Sequence, residues 1–185
     1  MLGRRTKGQA PRANGGAWVS LIVAAVWIAL VGGCGVYKTS PGSVPAHIRA
    51  ISIPVFENLT TEVGLDQQVS EAVINRFISD NTLRVVNEDE ADAVLSGAIV
   101  GYNNAIFGFT GNVEAEQYQV AVTISCKFFD KVKNRELWKD ESLTRTSNYY
   151  VVEVSGQPAQ DERTGRLEAI DKIADEIFAR TVDRW

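Results

Sequence analysis

Histidine is nearly missing from this 185-residue sequence, which has one, His47. Zinc sites and histidine-assisted nucleophiles draw on that side chain, so neither zinc binding nor a serine or cysteine triad is expected. A Gly-x-Ser-x-Gly elbow and a phosphate-cradling glycine loop are also missing. Carboxylates are plentiful, 23 Asp and Glu, so that some pairing is inevitable and no single pair points to acid–base catalysis. No catalytic residue, metal or cofactor is assigned, and an enzyme is not expected. Cysteine is scarce as well, with only Cys34 and Cys126. Long apolar runs are lacking too. The longest, residues 17–31, is interrupted only by Ser20 and as a helix would cover about 22 Å, short of the roughly 30 Å of a bilayer core.

That run has a different use. It follows Arg4, Arg5, Lys7 and Arg12 with no acidic residue among them, the grammar of a signal peptide. Thr6-Lys7-Gly8 lacks the apolar residues that follow a twin-arginine pair, so Arg4 and Arg5 are read as ordinary charge. At its end Val31-Gly32-Gly33-Cys34 resembles a lipobox: an aliphatic residue, two small ones that let a peptidase approach the backbone, and the cysteine that is acylated. Residues 1–33 are expected to be removed and Cys34 to carry lipid, placing the protein at the outer membrane, facing the periplasm. An acylated Cys34 cannot pair with Cys126, so no intramolecular disulfide is expected. Cys126 itself lies on the apolar side of a strand pattern and reads as a buried small hydrophobe.

The mature chain, residues 34–185, would be long enough for one domain with a real core. It keeps all 23 acidic but only 15 of the 19 basic residues, a net charge of −8, which does not suit nucleic-acid binding. Pro41, Gly42, Ser43 and Pro45 mark residues 34–47 as a tether, leaving 48–185 as a single domain. Ile51, Ile53 and Val55 alternate as a strand, with Pro54 placed at a strand end or an unpaired edge. Leu65, Val69, Ala72, Val73 and Phe77 fall on one helical face within 61–80. A short strand over 83–86, an acidic turn at Glu88-Asp89-Glu90 and a strand from about 93 to 102 come next. Gly97 and Gly101 within that strand mark a bulge or a close backbone approach. Gly108 and Gly111 suggest a loop, and 118–128 alternate as a half-buried strand. Residues 131–134 turn the chain into a partner strand over 136–147. A final helix, starting between 158 and 164 and ending near Trp185, sets Leu167, Ile170, Ile173, Ala174, Ile177 and Phe178 on one face. The order β-α-β-β-β-β-α predicts an α+β two-layer sandwich, two helices on a mostly antiparallel sheet, with a parallel crossover through the first helix.

Against the acidic background, Lys127, Lys131, Lys133, Arg135 and Lys139 fall within thirteen positions, opposed only by Asp130 and Glu136. Basic side chains at a hairpin tip can hold phosphate groups. They also protect exposed strands from edge-to-edge pairing, so composition alone supports both readings.

Four further stretches carry a family resemblance: Ile53-Pro54-Val55-Phe56-Glu57-Asn58-Leu59-Thr60-Thr61-Glu62, Glu90-Ala91-Asp92-Ala93-Val94-Leu95-Ser96-Gly97, Tyr118-Gln119-Val120-Ala121-Val122-Thr123 and Glu136-Leu137-Trp138. With the lipobox, they resemble the LptE family of lipopolysaccharide-assembly lipoproteins. The resemblance implies a protein anchored through acylated Cys34 that plugs the LptD β-barrel, helps it assemble and aids transport of lipopolysaccharide to the outer leaflet. Of the family's binding residues it carries over only the acylated cysteine; on the same hypothesis the basic hairpin, Lys131, Lys133 and Arg135, could contact lipopolysaccharide phosphates, and Tyr149 and Tyr150 could face the barrel wall. The Ile-Pro-Val-Phe-Glu-Asn stretch also looks like other periplasmic lipoproteins, leaving a self-oligomerising export pore or an envelope adaptor as the alternative.

Overall fold

The computed structural model describes residues 44–109, 115–154, 156 and 158–182. Cys34, Gly111 and Trp185 lie outside them. Six strands and two α-helices follow in the order β1 (Ala50–Ser52), β2 (Glu57–Asn58), α1 (Leu65–Asp80), β3 (Arg84–Val85), β4 (Ala93–Phe109), β5 (Ala115–Asp130), β6 (Arg135–Tyr150) and α2 (Glu162–Val182). A single 3-10 turn, Glu88–Glu90, precedes β4. The sheet runs β3-β1-β4-β5-β6, and β2 pairs β4. β1 is parallel to β3 and β4, while β4, β5 and β6 are antiparallel. This is the expected α+β sandwich, with α1 connecting the parallel strands.

The first strand splits in two. β1 and β2 both run along β4, pairing Ile51 with Ala93 and Glu57 with Ala98, and Pro54, which has no N–H to donate, sits in the gap between them. Alternation placed Val55 with the core, but Val55 is exposed and Phe56 is buried. Ser70 explains the difference: its Oγ accepts the Phe56 N–H at 2.8 Å and donates to the Asp66 carbonyl at 2.6 Å. The helix begins at Leu65, the first residue of its apolar pattern and later than the expected bound at 61. Asn58 folds residues 58–62 into a turn by accepting the Thr60 N–H and donating to the Glu62 carbonyl, and Gly64 supplies a positive φ of 81° at the N-cap.

β4 continues past 102 to Phe109, so Gly108 lies in a strand rather than a loop. The register with β5 shifts three times along β4, between Ile99 and Gly101, between Ile106 and Gly108, and between Gly108 and Phe109. Inward-facing positions are odd-numbered up to Ile99, opposite Ile124, and even-numbered from Tyr102, opposite Val122. Gly97 is a close approach, as expected: an added Cβ would lie 2.4 Å from the Ser125 carbonyl oxygen and 2.7 Å from the Phe56 ring.

On β5, Val120, Val122, Ile124, Cys126 and Phe128 are buried under the helices, while Gln119, Ala121, Thr123 and Ser125 line the open face. The two helices meet at Phe77 and Phe178, packed edge to face with centroids 5.2 Å apart. Burying Ile170, Ile173, Ile177 and Phe178 contributes about 1.5–3 kcal/mol per side chain. Leu167, expected on this face, is 40% exposed; Gly165 and Ala169 take the buried positions. Gly165 admits the Tyr149 ring, which an added Cβ would meet at 2.6 Å. Tyr149 is buried accordingly and stacks on Tyr118 at 5.5 Å, so it does not face outward.

β6 forms one edge of the sheet, and α2 meets its inner side through charge. Arg180 bridges Asp140 and Glu176, and Glu176 also pairs with Arg145 at 2.6 Å. Other groups blunt the outer edge: Lys172 Nζ donates to the Thr146 carbonyl, the Gln160 N–H donates to the Tyr150 carbonyl, and Gln160 Oε1 accepts the Tyr150 N–H.

Candidate functional site

The β5–β6 turn carries Lys131, Lys133 and Arg135, and the register brings it to the end of the sheet where the domain begins. Ala93 pairs with Asp130, and β1 starts beside it. Asp130 organises this end. Its carboxylate is fully buried and accepts the His47 Nε2–H at 2.8 Å and the Lys133 N–H at 3.0 Å, with Arg135 Nε at 3.8 Å. Burial alone would raise its pKa; the Lys133 amide, His47 and Arg135 outweigh that and hold it below the ordinary aspartate value. Asp92 does the same one strand away. The Arg49 N–H, followed by that of Ala50, lowers its pKa despite burial, and its carbonyl accepts the Lys131 N–H at 2.9 Å.

The three basic side chains of the turn are not equivalent. Lys131 Nζ donates to the Glu88 carbonyl, tying the turn to the acidic 3-10 segment. Arg135, half exposed, leans toward Asp130. Lys133 is exposed, and its ammonium has no partner among the described residues. Lys127 and Lys139, their neighbours in sequence, lie on the open face of the sheet instead, because strand alternation separates them from the turn.

No sequence pattern groups His47, Asp92 and Asp130. His47 fell in a stretch read as tether and Asp130 in a basic one. Only a polar residue at the end of an alternating apolar series hinted at Asp130. Cys126 is buried as expected, and burial first, then Asp140, pushes its thiol up to about 12. No group of three or more His, Cys, Asp or Glu among the described residues is placed to hold a metal ion.

The chain is similar in fold to several solved structures, all at low identity. A dodecameric point variant of PelC from Paraburkholderia phytofirmans superimposes with a TM-score of 0.50 at 14% identity, covering 77% of this chain and 95% of that one. The uncharacterized lipoprotein B from Nitrosomonas europaea gives 0.51 at 14% identity, covering 78% and 88%. Protein XCC0632 from Xanthomonas campestris gives 0.51 at 9% identity, covering 76% and 90%. No curated protein sequence matches the chain. A family model described as LptE, lipopolysaccharide-assembly, matches residues 48–181, which takes in every strand and all but the last residue of α2. The chain therefore belongs to the LptE family of lipopolysaccharide-assembly proteins.

Proposed function

We propose that this protein is an outer-membrane lipoprotein, acylated at Cys34, whose domain plugs an LptD-type β-barrel, helps that barrel assemble and aids passage of lipopolysaccharide to the outer leaflet. The observation that carries the reading is the family match over the whole folded domain. The architecture fits it. A plug in a water-filled barrel needs its apolar residues turned into its own core and a polar exterior, and here the apolar faces of sheet and helices meet while the open sheet face bears Gln, Thr and Ser. Acyl chains, worth about 0.8 kcal/mol per buried methylene, would hold Cys34 in the inner leaflet.

Lys131, Lys133 and Arg135 are the proposed contacts to lipopolysaccharide phosphates, and Lys133 is the one whose ammonium is uncommitted. Cys34 and Val44, where the described domain begins, are ten Cα steps apart in sequence, a reach of at most about 35 Å. The alternative of a self-made export pore needs membrane-spanning strands. β4, β5 and β6, the strands long enough for that, make up the antiparallel part of the domain's own sheet, which weighs against it.

Recovery of the lipoprotein from outer membranes in mild detergent, followed by mass spectrometry, tests the partnership. A stoichiometric large β-barrel of the LptD type is expected; a ring of the protein alone would replace the plug with the pore. A Lys131→Ala, Lys133→Ala, Arg135→Ala variant should bind purified lipopolysaccharide more weakly, and unchanged binding would remove the turn from the site.

A further inference from the structure

The open face of the sheet holds a groove of about 490 Å3 whose lining includes Ser96, Ala98, Ser125, Lys127 and Lys139. Strand register places Ser96 opposite Lys127, and Lys127 opposite Lys139, so that the three stand in one row across β4, β5 and β6. Ala98 and Ser125 form the next pair on the same face. Directly opposed residues have Cβ atoms only about 5 Å apart, and like charges so placed oppose folding. Lys139 is offset by Glu141 at 2.7 Å, but that pair is exposed and worth little. Lys127, also exposed, has no partner among the described residues. Glu141 and Glu136 hold Lys139, which leaves Lys127 above a floor of small hydroxyl side chains; an oxyanion between the two lysines would turn their repulsion into attraction.

We propose that this groove is a phosphate site, distinct from the β5–β6 turn, in which Lys127 and Lys139 hold the phosphate of a head group over the hydroxyls of Ser96 and Ser125. The groove is divided by charge. Glu57, brought against Ala98 by β2, lines it from the side away from Lys139, and Glu136 lines it from β6. Four charged side chains sum to zero, so a bare anion gains less here than a phosphate ester that also offers a donor, an amine or sugar hydroxyl, for Glu57 to accept. A phospholipid head group and a phosphorylated sugar share that chemistry. The site needs no barrel partner and stands or falls apart from the plug reading.

Binding to the full-length lipidated protein in mild detergent, followed calorimetrically with O-phosphoethanolamine, glucosamine 1-phosphate and inorganic phosphate, tests the site. At least one ester should bind more tightly than inorganic phosphate; preference for the first points to a phospholipid, for the second to a glycolipid. A Lys127→Gln, Lys139→Gln variant should lose about tenfold or more in affinity, the scale of charge-assisted hydrogen bonds. Without ligand it should melt close to wild type, because the repulsion between the lysines and the attraction of Lys139 to Glu141 and Glu136 offset one another. Wild type that binds neither ester, a variant that binds both unchanged, or inorganic phosphate bound as tightly as the esters would overturn the assignment. Barrel recovery with the same variant separates the two ideas. A barrel that co-purifies while wild type ignores the esters removes only this site, and ester binding without any barrel removes only the plug.

Discussion

His47 Nε2 lies 2.8 Å from Oδ2 of Asp130, eighty-three residues away in sequence, and joins the beginning of the domain to the β5–β6 turn. The aspartate is fully buried and also takes the Lys133 N–H, so two segments far apart in the chain depend on one carboxylate. Asp130→Ala should destabilise the domain by about 2–4 kcal/mol, since it strands these donors around a buried gap. His47→Ala, at a partly exposed side chain, should cost about 1 kcal/mol. Urea unfolding measures both, and a change below about 0.5 kcal/mol for Asp130→Ala, ordinary for a surface site, would show that the carboxylate is not structural.

Acid should unfold the domain for a related reason. Asp92, Asp130, Asp140 and Glu176 all have pKa values below their ordinary 3.8 or 4.5 in the fold. A carboxylate with a depressed folded pKa adds stability above its unfolded pKa and loses it as pH falls through the folded one. Asp171 works the other way: burial first, then Asp175 and Glu168, raise it. With Glu141, Asp161 and Glu168, which are lowered as well, seven carboxylates against one predict a melting temperature that holds from pH 7 to about 5 and falls below about 4. A profile flat to pH 3 would show that these carboxylates are no better placed in the fold than in the unfolded chain.

Arg180 stands between Asp140 and Glu176 at the seam of α2 and β6. Its side chain is 25% exposed and its partners about as little, so the network is worth more than a surface pair. Arg180→Met, which keeps the aliphatic packing, should cost about 1–3 kcal/mol. In a double-mutant cycle with Asp140→Asn the two losses should be less than additive; additive losses would mean that the contact contributes nothing of its own.

Two glycines of β4 should behave differently when changed to alanine. At Gly97 the new methyl group meets the Ser125 carbonyl oxygen at 2.4 Å and the Phe56 ring at 2.7 Å, and backbone cannot give way cheaply. A loss of about 1–3 kcal/mol is expected. At Gly101 the nearest atom is the Thr123 Cβ at 3.3 Å, which needs only a small shift. Equal melting temperatures for the two variants would mean that β4 and β5 slide more easily than their register implies.

The order of elements, the two-layer sandwich, the burial of Cys126 and the tightness around Gly97 were all legible in sequence. Each is governed by local periodicity or by the missing side chain of a single residue. Apolar residues at period two on β5 and near period three and a half on both helices can bury together in few ways, and the LptE resemblance pointed to the family that the match over 48–181 shows. Tertiary structure alone decided the rest. Val55 and Leu167 fit their patterns yet are exposed, because Ser70 and Gly165 set how neighbouring elements dock. β4 outran its apolar pattern because hydrogen bonds to β5 carry it on to Phe109. Five basic residues adjacent in sequence became two groups, since alternation along a strand and reversal at a turn send neighbours to different surfaces. His47 and Asp130 formed their bond only once the sheet had brought the start of the domain and the β5–β6 turn to the same end.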